Sequence, residues 1–220
     1  EEEISGKDGM ELLFSYLPPV DFAIVGEPTQ MQMAIAEKGL MVLDCVATGK
    51  AGHAARNEGE NAIYKALTDI NWLRNYQFEK ISEFLGEIKL SVTIIHAGIQ
   101  HNVVPDICEF TVDVRTTDVY THEETLEIIK KHLQSEVNPR STRLKPSFIS
   151  PQHPFVLAGK SLGISTYGSS TTSDQALIPV PSLKIGPGDS ARSHSADEFI
   201  FLEEIEQGID TYILLLNMIL

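Results

Sequence analysis

The 220-residue chain is 42% hydrophobic with a mean hydropathy of −0.05, enough to bury the core of one large or two smaller domains. Its 31 acidic against 17 basic residues give a formal charge of −14, which repels a phosphate backbone and argues against nucleic acid or membrane surfaces as partners. The two cysteines, Cys45 and Cys108, form no C-x-x-C spacing, so reduced thiols in a cytoplasmic setting are expected. No run of 18 apolar residues is present. The chain opens on three glutamates rather than a Met, and the expectation is that it is cut from something longer.

Asp21 to Gly26 (DFAIVG) is a short apolar run closed by Gly, the pattern of a buried strand of a parallel sheet. Glu27 then lies just beyond its carboxyl end, where open α/β sheets place ligands. Gly39 to Thr48 reads as a second strand and Gly59 to Asn75 as a helix. The alternating runs around Ile88–Ile94 and Cys108–Val114 are expected as half-buried antiparallel strands. Thr121 and Glu124 form a capping box ahead of Leu126, Ile129 and Leu133, marking a second amphipathic helix. With a closing strand near Ser141 to Ser147, this β-α-β-β-α-β order predicts a ferredoxin-like sandwich. The expected organisation is an α/β/α layer from residues 1–37 and 149–220, with residues 38–148 inserted as a lid or dimerisation domain. The layer ends in a helix at Glu203 to Leu220, with Ile205, Ile209, Tyr212, Leu216 and Ile219 on its apolar face.

Several polar positions carry chemistry. Glu1, Glu2 and Glu3 alone read as a solvated acidic terminus, but on a loop one carboxylate can coordinate metal while its neighbour reaches a bound water. Glu27, held by Pro28, is costly to bury without a partner. His194, between serines and near Arg192, sits in too polar a setting for a core histidine, and imidazole and carboxylate are usual zinc donors. His53 lies in the small-residue segment Gly52-His53-Ala54-Ala55, either a turn histidine or one that substrate can approach. Gly186-Pro187-Gly188 is either an ordinary tight turn or a set of backbone N–H groups facing a carboxylate.

Taken together, the order of these motifs resembles the M20 metallopeptidases, the group of acetylornithine deacetylase and succinyl-diaminopimelate desuccinylase. The motifs are Glu2-Glu3, Gly26-Glu27-Pro28-Thr29, Gly52-His53-Ala54-Ala55, Asn102-Val103-Val104-Pro105 with Arg115 downstream, Thr172-Ser173-Asp174, Gly186-Pro187-Gly188, and His194 before Asp197-Glu198. The resemblance implies a zinc-peptidase-like α/β catalytic layer with an inserted ferredoxin-like α+β domain. It makes Glu2 the general base, or Glu1 if the frame shifts by one, and Glu3, Glu27 and His194 ligands of two Zn2+ ions, with Co2+ or Mn2+ as alternatives. The family's H-x-D segment is expected upstream of Glu1.

It further implies a homodimer, in which His53 reaches across from a partner's lid to stabilise an oxyanion. Asn102, Arg115, Gly186 and Gly188 are then expected to clamp a substrate carboxylate, with Thr172 and Ser173 adding hydrogen bonds. The expected substrate is a small N-acyl amino acid, an N-acetyl or N-succinyl ornithine, citrulline or diaminopimelate, as in arginine and lysine synthesis. The alternatives are a dipeptidase or aminopeptidase, and a non-catalytic dimerisation or ligand-binding relative.

Overall fold

A computed structural model describes residue 6, residues 8–56 and residues 58–220. The elements in chain order are α1 (Met10–Tyr16), β1 (Ala23–Val25), β2 (Met33–Glu37), β3 (Gly39–Thr48), β4 (Gly52–His53), α2 (Ala62–Asn75), β5 (Lys89–Ala97), β6 (Val103–Val104) and β7 (Ile107–Thr116). They continue with α3 (His122–His132), β8 (Glu136–Pro139), β9 (Ser147–Phe148), α4 (Pro154–Ser161), β10 (Thr166–Ser169), β11 (Ser182–Lys184) and α5 (Leu202–Asn217). Two compact units result: residues through Lys38 with Pro146–Leu220 form one, and Gly39–Lys145 form the other.

The first unit is built on a mixed sheet ordered β1-β11-β2-β10, with β9 also paired to β2. β1 and β11 are parallel, Ala23 opposite Ser182, so the loops after Val25 and Lys184 leave from the same end of the sheet. All five residues of β2 are buried, which is why its run Met-Ala-Ile-Ala is continuously apolar rather than alternating. Gly159 of α4 lies against Met33, whose Cε and Sδ would be 2.5 Å from a Cβ at that position. A side chain there would require the end of the Met33 side chain to move aside.

Among the described residues of this unit, two charges are buried. Lys184 Nζ lies 2.9 Å from Glu37 Oε2, with the side chains 4% and 0% exposed. The carboxylate also accepts from Ser173 N at 3.0 Å and Ser173 Oγ at 2.7 Å, and Lys184 Nζ donates to Thr171 Oγ1 at 3.0 Å. Every partner is needed, because a buried charge left uncompensated is strongly destabilising.

In the second unit the sheet order is β5-β7-β3-β8, antiparallel throughout, the ferredoxin-like arrangement. Alternate residues of β3 (Met41, Leu43, Cys45, Ala47) and β7 (Cys108, Phe110, Val112, Val114) share one core with Ala66 and Leu73 of α2 and Ile129 of α3. The Thr121–Glu124 capping box starts α3. Buried Asp69 accepts from Gln134 N, Ser135 N and Ser135 Oγ at 3.1, 2.8 and 2.6 Å, tying α2 to the entry of β8.

Four local expectations are corrected. The closing strand is Glu136–Pro139, not 141–147; Ser147–Phe148 instead pairs with β2 in the first unit. The helix expected from Gly59 starts at Ala62, where Asn61 caps Ile63 N. The alternation of β5 breaks at a bulge between Val92 and Ile94, after which Ile94 and Ile95 are both exposed. On α5 the buried positions are Gly208 and Leu215, while Ile205 and Ile209 are exposed. The helix turns this face inward because Gly208 lets Pro187 approach to 3.1 Å of where a Cβ would sit.

Removing one member of the buried pair, as in Lys184→Met, should cost roughly 3–5 kcal/mol, measured as a lower denaturant midpoint. Lys184→Met combined with Glu37→Leu should recover part of that loss. The Cys45 thiol is pushed up to about 12 by burial and by Asp69 and Asp44, and burial raises that of Cys108 as well. Neither should react with a disulfide reagent at pH 8 in the native protein, and both should react once it is unfolded in guanidinium.

Candidate metal and substrate site

The loops that follow β1 and β11 cross at close range. A Cβ on Gly186 would lie 2.6 Å from the carbonyl oxygen of Glu27, so only glycine permits the crossing. Thr29 then joins the two loops. Its N–H donates to Gly186 O at 3.1 Å, as does Met31 N at 2.9 Å, while Gly186 N donates back to Thr29 Oγ1 at 3.1 Å. Gln30 N reaches Gly188 O at 2.8 Å and its side chain reaches Asp189 at 2.7 Å. Glu27, half-buried, is therefore carried on a backbone held from both sides. The Gly186 N–H expected to face a substrate carboxylate is instead committed to Thr29. Burial, with Glu37 and Glu27 nearby, raises the Tyr167 phenol above its ordinary value.

His194 sits on the next turn. It is exposed and adopts φ of 61°, a left-handed conformation uncommon for a residue with a Cβ. Its N–H donates to Glu198 Oε2 at 3.0 Å, and Ser195 Oγ donates to Arg192 O at 2.7 Å. At the base of the turn Arg192 grips Glu204 with two N–H donors, at 2.6 and 3.0 Å. Its guanidinium also stacks 4.9 Å from the ring centres of Phe199 and Phe201. The arginine holds the Glu204 carboxyl below the usual range. Pro28, Gly188, Ser193 and Glu198 line a single cleft of about 260 Å³, so the neighbours of Glu27 and of His194 face the same space.

His53 and Asn102 come together in the second unit. β4 pairs with β6, His53 opposite Val103, and Ala54 N donates to Asn102 O at 2.9 Å. This ribbon packs tightly, since a Cβ on Gly52 would lie 2.5 Å from Glu58 O. His53 is exposed, and its Nδ1 accepts from Ala55 N at 3.1 Å. A ring nitrogen that accepts carries no proton, so neutral His53 bears its hydrogen on Nε2.

Arg115 is not brought to this ribbon. It lies eight residues along β7 from Ile107, the end next to the ribbon, a separation of about 27 Å at the ordinary strand rise. There it pairs with Leu40 and Lys89 in register, and its Nε and Nη2 donate to Asp113 at 2.8 and 3.0 Å. Ser173 meets Glu37 rather than open space, and Thr172 Oγ1 donates to Lys38 O at 2.9 Å. Both thus hold the backbone where β2 ends. Glu1, Glu2 and Glu3 lie outside the described residues.

The donors present suit a divalent metal as part of a set. Glu27 and His194 supply a carboxylate and an imidazole on adjoining loops, while no group of three potential ligands is assembled among the described residues. Sequence reading missed Glu37 and Lys184, and gave no role of their own to Thr29 and Glu198, which stand in the quoted motifs. A signal existed for the buried pair: Met33–Glu37 and Ser182–Lys184 are short strands closed by opposite charges. The role of Thr29 had none, because its partner Gly186 is 157 residues away, whereas Glu198 meets a main-chain N–H only four residues before it.

Residues 35–141 match the peptidase dimerisation domain of the M20 family. The chain is 30% identical over 214 residues to a probable carboxypeptidase of Aspergillus flavus, covering 89% of this chain and 51% of that one. It is 28% identical over 207 residues to acetylornithine deacetylase of Proteus mirabilis, covering 84% and 53% respectively. The fold matches a dinuclear metal-binding peptidase of the M20 family from Bacillus subtilis with a TM-score of 0.65 at 20% identity, over 99% of this chain and 62% of that one. The chain thus spans about half the length of the curated relatives it matches. On its fold, its motifs and these likenesses, the chain belongs to the M20 family of metallopeptidases and deacylases.

Proposed function

We propose that the protein of which this chain is part hydrolyses the amide of a small N-acyl amino acid, such as an N-acetyl or N-succinyl derivative of ornithine, citrulline or diaminopimelate. The observation that carries this reading is the state of His53: an exposed imidazole whose Nδ1 is occupied as an acceptor and whose Nε2 is therefore a donor. A fixed N–H donor of this kind suits a negative charge that develops on an amide oxygen during attack by water. Likeness to acetylornithine deacetylase supports the substrate class.

Glu27 and His194, with Glu3, would hold the metal, expected as two Zn2+ ions. A bound metal supplies acidity to water and polarises the scissile carbonyl. Glu2, as general base, takes the proton from the attacking water and returns it to the leaving amine. Arg115 is the guanidinium proposed to meet the substrate carboxylate, and Asp113 fixes the plane of that guanidinium. Asn102 and Gly188 complete the polar wall. Gly186, Thr172 and Ser173 serve by fixing loops, since their polar groups are engaged internally.

The long separation of the His53–Asn102 ribbon from Arg115 along β7 favours a homodimer, in which the ribbon of one subunit serves the site of the other. The matched dimerisation domain supports the same arrangement. A cytoplasmic location accords with the two free cysteines. A second reading, cleavage of a dipeptide or of a carboxyl-terminal residue, is favoured by the 30% identity to a probable carboxypeptidase. It uses the same residues and differs in the acyl pocket.

In the full-length protein, His53→Ala should lower kcat by about 10²–10³-fold, and Glu27→Ala should abolish tight binding of one zinc. Co-expressed His53→Ala and Glu27→Ala subunits should regain about a quarter of parental activity, since half the dimers are mixed and each carries one intact site. Confirmed mixed dimers with no recovered activity would refute the crossed arrangement. Parallel assays with N-acetyl-ornithine, N-succinyl-diaminopimelate and unblocked dipeptides separate the two readings. Turnover of dipeptides alone would overturn the deacylase assignment.

A further inference from the structure

Resting on the reading of His194 as a metal ligand, we propose that Glu198 is a positioning residue that fixes the imidazole of His194 through its main chain. His194 stands at φ 61°, a conformation that persists only where neighbouring contacts enforce it. Packing does not enforce it, because His194 is exposed. The restraint on its peptide is the hydrogen bond from its N–H to Glu198 Oε2, at 3.0 Å. A carboxylate acceptor makes that bond stronger than a neutral one would.

Two other charged groups near the turn are already engaged. Asp189 accepts from Ala191 N and Gln30 Nε2, and Arg192 is held by Glu204. Together they anchor the start of the turn, and the Ser195–Arg192 contact narrows it. Glu198 closes it from the other end while lining the same cleft as Ser193 and Pro28. Without that closure the peptide before His194 is free to relax to negative φ, which turns the Cα–Cβ bond away from its present direction. The ring would then have to be re-aimed each time it met a metal.

The test uses the full-length protein, zinc as the probe, and competition with a chelating indicator to read affinity. Groups that orient ligands typically contribute 10–100-fold to metal affinity, and Glu198→Ala should weaken the more loosely held zinc by about that factor. Glu198→Gln keeps an oxygen acceptor of the same reach and should remain within about threefold of the parent. Melting temperatures of both metal-free variants should match the parent, since Glu198 is exposed. His194→Ala should lose affinity at least as severely as Glu198→Ala. Unchanged affinity in Glu198→Ala beside a loss in His194→Ala would overturn the positioning role and leave His194 a ligand. No change in either variant would overturn the ligand reading itself. Equal losses in Glu198→Ala and Glu198→Gln would show that negative charge, not the hydrogen bond, is what Glu198 supplies, and would also overturn the proposal.

Discussion

The ion pair between Lys184 and Glu37 is the constraint on which the first unit depends. Neither residue has solvent to fall back on, at 4% and 0% exposure, so each must be met by protein. Lys184 comes from β11 and Glu37 from the end of β2, and the Thr171–Ser173 turn supplies the remaining partners. One requirement of charge compensation thereby fixes three segments far apart in sequence. Glu37 also stands one residue before the boundary at Lys38, where the chain passes into the second unit. The neighbouring Lys38 carbonyl is taken by Thr172. A buried charge pair adds little net stability against a hydrophobic substitute, but it specifies geometry by penalising every arrangement that leaves one charge alone.

At the other end of the same sheet, geometry is set by close approach of backbone. The parallel pairing of β1 and β11 sends two loops out side by side, and Gly186 allows them to touch beneath Glu27. Thr29 satisfies main-chain groups on both loops, so the carboxylate of Glu27 is presented from a rigid support. His194 is presented differently, from a turn with strained backbone and few packing contacts. The two candidate donors thus rest on different supports, a backbone crossing for Glu27 and a hydrogen-bonded turn for His194.

The second unit separates its polar functions by strand length. A ten-residue strand, β7, carries Arg115 near one end and adjoins the His53–Asn102 ribbon at the other. No rotation of side chains closes a gap of about 27 Å. Within one copy the two groups therefore face different surroundings, in a unit that matches a peptidase dimerisation domain.

Sequence by itself determined the kinds of element and their order, since apolar periodicity and capping chemistry are local properties. Thr121 and Glu124 cap α3 as read, β7 buries alternate residues as read, and the ferredoxin-like class of the second unit follows from the order of its elements. Glu27, His53 and His194 stand outside the core, as polar residues among small or turn-forming neighbours generally do. What sequence misplaced were features that depend on a partner elsewhere in the chain. The end of the second unit, the buried face of α5 and the engaged N–H of Gly186 are set by contacts with Pro187, β2 and Thr29. Glu37 and Lys184 lie 147 residues apart in sequence, and only the sheet brings their charges within 2.9 Å. Local pattern fixes how a segment folds, whereas burial, backbone crossing and charge pairing are properties of two segments at once, and only the tertiary structure decides them.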